Sequence, residues 1–159
     1  MKFLITGSLR ASNGPRLLVT SAILFFFCFT VAHLLREAGS TGLTPATIRQ
    51  NLYAGPTDAL IASDAPPGFL AVLEDLHIDL FFFGLLGLLL GSVLYQVRVA
   101  ETLKRGLIYA LFLFPLLFIL SRGCVYFFAD AAYLVPPTGF LTYATLVGTQ
   151  LLILRDLYR

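Results

Sequence analysis

The chain has 159 residues, 58% of them hydrophobic and only 13% charged, with a mean hydropathy of +0.85 and a formal net charge of +2. A water-soluble fold of this length has too little interior to hide so much apolar surface, so composition excludes an ordinary soluble domain. The small positive charge is no nucleic-acid footprint either, because membrane topology already accounts for where the basic residues fall.

Four apolar segments, about 17–36, 77–97, 106–129 and 138–155, fill most of the sequence. A helix needs about 20 apolar residues to cross a ~30 Å hydrocarbon core. The expectation is an all-α integral membrane protein: an up-down four-transmembrane-helix bundle with a short helical loop on its outer side, built as one transmembrane domain over 1–159. Eight of the eleven basic residues (Lys2, Arg10, Arg16, Arg98, Lys104, Arg105, Arg155 and Arg159) fall on one side. Arg36, Arg49 and Arg122 fall on the other, with seven of the nine acidic residues. Basic residues are retained in the cytoplasm, so both termini are expected there, in a bacterial inner membrane.

In chain order, the first segment follows Lys2 and invites comparison with a signal peptide. Its length exceeds the usual apolar region, and Arg36 and Glu37 stand where a small-residue cleavage site would be, so it reads as a retained helix. Cys28 lies in this span and Cys124 in the third, at different depths, which suits small apolar packing better than a disulfide. Residues 37–76 form the outer loop. There Thr44 before Pro45 signals a helix start, Ile48 and Leu52 give it one apolar face, and Gly55 with Pro56 stop it. Pro66 and Pro67 open a second helical stretch, Gly68 to Leu76, expected to rest in the interface and feed span two.

Span two carries Gly84, Gly87 and Gly91, with Ser92 beside them. Span four carries Thr138, Thr142, Thr145 and Thr149, and opens at Pro136 and Pro137. Lipid supplies no hydrophobic force between helices, so both stripes are read as packing surfaces where backbones approach or hydroxyls bond. Pro115, mid-way along span three, predicts a kink.

Ionisable groups within spans are rare and mark function by default, which singles out His33, His77 and Arg122. Arg122 needs an acidic partner, with Asp79, Glu74, Asp130 or an acidic ligand as the choices. His77, Gly84 and Gly91 are spaced by sevens and share a helix face with Glu74, while Asp79 points to roughly the opposite one. If spans one and two are neighbours, His33 and His77 could hold a b-type heme between them, with Arg36 or Arg122 at the propionates. Plain interfacial histidines satisfied by carbonyls or water are the leading alternative, with zinc at His33, His77 and Glu74 and a quinone or lipid-headgroup contact as further readings. No complete catalytic motif accompanies them. The functional expectation is an accessory or assembly subunit of a larger membrane complex, in contact with lipid and with other subunits or copies of itself and with no nucleic acid. The alternative is a heme-binding electron-transfer subunit.

Overall fold

The computed structural model describes residues 13–53 and 68–158, and every element among them is helical. The order is α1 (Asn13–Ser40), α2 (Pro45–Leu52), α3 (Phe69–Leu94), α4 (Glu101–Phe127), a 3-10 turn (Ala129–Tyr133) and α5 (Val135–Leu157). The four long helices are each apolar and long enough to cross a membrane. The protein is a multi-pass membrane protein with an all-α four-helix architecture.

Each boundary has a local cause. At its C-terminal end α1 closes where the amides of Thr41 and Gly42 both return to the Glu37 carbonyl, at 2.9 and 3.0 Å. Gly42 then turns the chain with φ +92°, a backbone conformation that residues with a Cβ rarely adopt. Helix α2 follows behind a reciprocal cap: Thr44 Oγ1 accepts from the Thr47 amide, Thr47 Oγ1 accepts from the Thr44 amide, and Pro45 occupies the first turn. Its Ile48 and Leu52 are buried, with the helix resting on the 3-10 turn. The expected stop at Gly55 and Pro56 lies outside the described residues.

The stretch expected to rest in the interface and feed span two is the first part of α3. Gly68 caps that helix, accepting from Ala71 and Val72, and nothing between Phe69 and Leu94 interrupts it. Its 26 residues reach roughly 39 Å at 1.5 Å per residue, more than the hydrocarbon core requires. The short connections 95–100 and 128–134 make α3, α4 and α5 antiparallel neighbours.

Helix α4 is the centre of the bundle, packed along α3 on one side and α5 on the other, while α1 leans chiefly on α5. It continues through Pro115 from Glu101 to Phe127. Proline has no amide hydrogen, so the carbonyl four residues earlier, Leu111, lacks its helical donor. Gly87 of α3 packs at that spot: a Cβ on it would stand 3.3 Å from Leu111 O and 3.1 Å from the Phe112 ring. Gly84 and Gly91 have nothing within 4 Å of a built Cβ, so only Gly87 of the glycine strip marks a close approach. On α5, Thr142 and Thr149 are fully buried, and Thr145 is half-buried. Helices α1 and α3 meet through long side chains, among them the stacked Phe29 and Phe82 rings at 4.1 Å.

Candidate functional site

Near the α2 end of the bundle, polar side chains from four helices converge in an otherwise apolar interior. On α1, His33, Arg36 and Glu37 are spaced three and four apart, one helical face; on α3, Asp75 and Asp79 are spaced by four. Arg122 of α4 and Tyr143 of α5 complete the group. Asp79 is 0% exposed, Arg122 3%, Glu37 4% and His33 6%, so the centre is dry.

Arg122 is the hub. One terminal nitrogen bonds Asp79 and lies 3.3 Å from Glu37 Oε1, while the other bonds Asp75 Oδ2 at 2.6 Å. This guanidinium therefore joins carboxylates from α1 and α3 to α4. Arg36, about half exposed, pairs with Asp75 and lies 3.6 Å from Asp79 Oδ1. His33 Nε2 lies 3.0 Å from Asp79 Oδ1, and its Nδ1 lies 2.9 Å from the Tyr143 hydroxyl. An ionised carboxylate only accepts, so Nε2 carries the proton and donates to Asp79; with a neutral ring, Nδ1 accepts from Tyr143 O–H. The result is a tyrosine–histidine–aspartate chain ending on an arginine.

Three carboxylates face two guanidinium groups, so the cluster carries one net negative charge with His33 neutral and none with His33 protonated. Burial of isolated charge in an apolar interior is prohibitive, and a nearly balanced set of this kind is how four helices can hold it.

Ligand atoms of His33, Glu37 and Asp79 lie within 4.8 Å of one another, the spacing of a cation site. Arg122 already stands between the two carboxylates as their counter-ion, and a divalent metal would have to displace it. The zinc set expected from sequence, His33 with His77 and Glu74, is not brought together: Glu74 and His77 are both exposed. The two histidines are likewise not paired for a heme. His77 lies two residues from Asp79, roughly the opposite side of α3, whereas both ring nitrogens of His33 are engaged by Asp79 and Tyr143. Arg36 and Arg122, expected at propionates, bind protein carboxylates. Among the expected partners of Arg122, Asp79 is the one it meets; Glu74 and Asp130 are exposed.

Glu37, Asp75 and Tyr143 are members that sequence reasoning did not single out. The signal available was spacing, since Asp75 and Asp79 share a face and Glu37 follows His33 by one turn. A second, smaller polar contact lies deeper, where buried Gln150 Nε2 donates to Thr30 Oγ1 at 3.3 Å. Gln150 Oε1 and Thr149 Oγ1 are buried there without a hydrogen-bond partner among the described residues. Cys28 and Cys124 are free thiols, both exposed on the bundle surface.

A family model described as a transmembrane helical domain, Aq_1264_TM, matches residues 42–159. That stretch contains Asp75, Asp79, Arg122 and Tyr143, while His33, Arg36 and Glu37 of α1 precede it. Neither the curated proteins nor the solved structures compared with the chain gave a match. With four apolar helices and about three quarters of its length inside the matched region, the chain belongs to the Aq_1264_TM family of transmembrane helical domains.

Proposed function

We propose that this protein is an accessory or assembly subunit of a larger complex in a bacterial inner membrane, with both termini cytoplasmic and the charge cluster toward the periplasmic face. The observation that carries the reading is the way the cluster's charges pair with one another. Arg122 reaches Asp75, Asp79 and Glu37, Arg36 reaches Asp75, and His33 is held at both nitrogens. Charges answered by protein groups do the work of joining: they fix α1, α3, α4 and α5 in one register at the membrane surface, where lipid gives no hydrophobic incentive to associate. Such a unit offers a partner a rigid, apolar wall of defined shape. The orientation is supported by the basic residues at the opposite end, Arg98, Lys104, Arg105 and Arg155.

Extraction into native-lipid particles by a styrene–maleic acid copolymer, followed by cross-linking and mass spectrometry, tests the role. The expected result is the same membrane protein partner in fixed stoichiometry across preparations. Recovery of the chain alone as a monomer, from cells expressing it at its native level, contradicts it.

A further inference from the structure

Helix α3 buries Val72, Asp79, Phe83 and Leu86 against its own bundle and turns a different face outward. On that face Leu70, Glu74, His77, Phe81, Gly84 and Leu88 follow one another at intervals of four and three, a period of 3.5 that keeps them on one stripe. Gly91 continues the stripe but is buried, and Tyr95, which caps the helix, returns to the surface. Leu70, Phe81, Leu88 and Tyr95 are 63–77% exposed, and no other large apolar side chain of α3 is as open. Glu74 and His77 are exposed on the same stripe, and neither makes a hydrogen bond or ion pair among the described residues. About 20 helical residues span the hydrocarbon, so counting back from Tyr95 sets its far edge near Asp75. His77 then faces acyl chains just inside that edge and Glu74 lies at its rim, where a polar side chain is costly unless protein covers it. Beside the stripe a groove of about 180 Å³ opens between α3 and α4, with Leu80, Phe83 and Gly84 on one wall and Phe112, Pro115 and Leu116 on the other. A Cβ built on Gly84 meets nothing within 4 Å.

We propose that this stripe is the contact between two copies of the chain, α3 against α3, related by a two-fold axis along the membrane normal. Insertion gives both copies the same orientation, so the two α3 helices run parallel and meet at equal depth. In a parallel seam of period 3.5, each side chain enters a hole formed by four residues of the facing helix. Phe81 of one copy falls among His77, Leu80 and Gly84 of the other, at the mouth of the groove, and Gly84 leaves the room its ring needs. Glu74 of one copy falls beside His77 of the other. A neutral imidazole carries one N–H and an ionised carboxylate only accepts, so each histidine donates to the opposite Glu74, and symmetry makes the pair twice. One face thus carries bulk beside gap and donor beside acceptor, which makes it complementary to itself. The inference does not rest on the accessory-subunit reading, whose partner is a different protein.

The test takes the full chain in two samples, one with a donor and one with an acceptor fluorophore at the C-terminus, reconstituted together in phosphatidylcholine liposomes over a range of protein-to-lipid ratios. Energy transfer should rise along a two-chain isotherm and fall on dilution with lipid. Gly84→Leu meets open space in its own bundle, so unfolding in sodium dodecyl sulfate should stay as in the wild type. The same change overfills the seam and should weaken association at least about tenfold. Register is read separately, in a Cys28→Ser, Cys124→Ser background. Oxidation should join two copies of Leu88→Cys but not two copies of Leu89→Cys, which is turned about 100° around the helix. The inference is overturned if the chain stays monomeric at every ratio, if Gly84→Leu associates like the wild type, or if Leu89→Cys cross-links as readily as Leu88→Cys. A cross-link from Leu88→Cys to a different protein in native membranes, with none between copies, would also overturn it and give the face to that partner.

Discussion

An arginine inside a membrane helix must find counter-charge within reach of its own side chain, and for Arg122 the sequence offered Asp79 among several candidates. What could not be read was the company around that pair. In a soluble helix the polar face marks the outside; in these helices lipid and core are both apolar, so hydropathy does not say which side faces in. The alignment of His77 with Gly84 and Gly91 suggested an inner face; the structure buries Gly91 but leaves His77 exposed, and around that depth it is Val72, Asp79 and Leu86 that are buried. His33, by contrast, faces inward. Two substitutions separate these environments. His77→Ala, at an exposed position, should change stability by less than about 0.5 kcal/mol. His33→Ala removes a donor to buried Asp79 and a partner of Tyr143, and should cost roughly 1–3 kcal/mol. Unfolding by titration with sodium dodecyl sulfate reads both; equal effects would mean that His33 is not built into the cluster. The same His77 variant, expressed with ample heme and examined by absorption spectroscopy, should show the same visible spectrum as the wild type.

Local chemistry made the elements easier to read than their partners. The Thr44–Pro45 start of α2 was legible because capping needs only neighbours in sequence, and its apolar Ile48 and Leu52 face was legible from spacing. That the Gly68–Leu76 stretch feeds span two was legible too, but not that the two form one unbroken helix, since interface and membrane helices differ in surroundings rather than in backbone. Gly42 carries the joint between α1 and α2. Its φ of +92° and the Thr47 side chain, which a Cβ there would strike, both oppose any other residue. Gly42→Ala should therefore cost at least about 1–2 kcal/mol and raise amide exchange at Ile48 and Leu52 ahead of the bundle. Unchanged exchange there would show the turn to be dispensable. At Gly87 the larger Leu would drive α3 off the Leu111 carbonyl and the Phe112 ring. Gly87→Leu should destabilise by about 1–3 kcal/mol, the range for overpacking, whereas Gly84→Leu, which meets open space, should not.

For the whole molecule, composition alone required a membrane and the four apolar segments required four helices, which is why the architecture was legible from the start. The order of packing was not, because α1 reaches α3 through His33, Arg36 and Phe29 rather than through backbone contact. Long side chains bridging a wide seam leave no period in the sequence. The orientation proposed from the basic residues predicts a fluorescent green-fluorescent-protein fusion and an inactive alkaline phosphatase fusion at the C-terminus; the reverse pattern would invert the bundle. The central claim is that this bundle is held at one end by its buried charges. A double-mutant cycle on Asp79→Asn and Arg122→Gln, read by unfolding in sodium dodecyl sulfate, tests it most directly. Breaking a buried pair from one side leaves the other charge uncompensated, so each single change should cost about 3–5 kcal/mol. The double change should recover at least about 2 kcal/mol of their sum. Single effects below about 1 kcal/mol that simply add would contradict the account and leave apolar packing as what holds the four helices together.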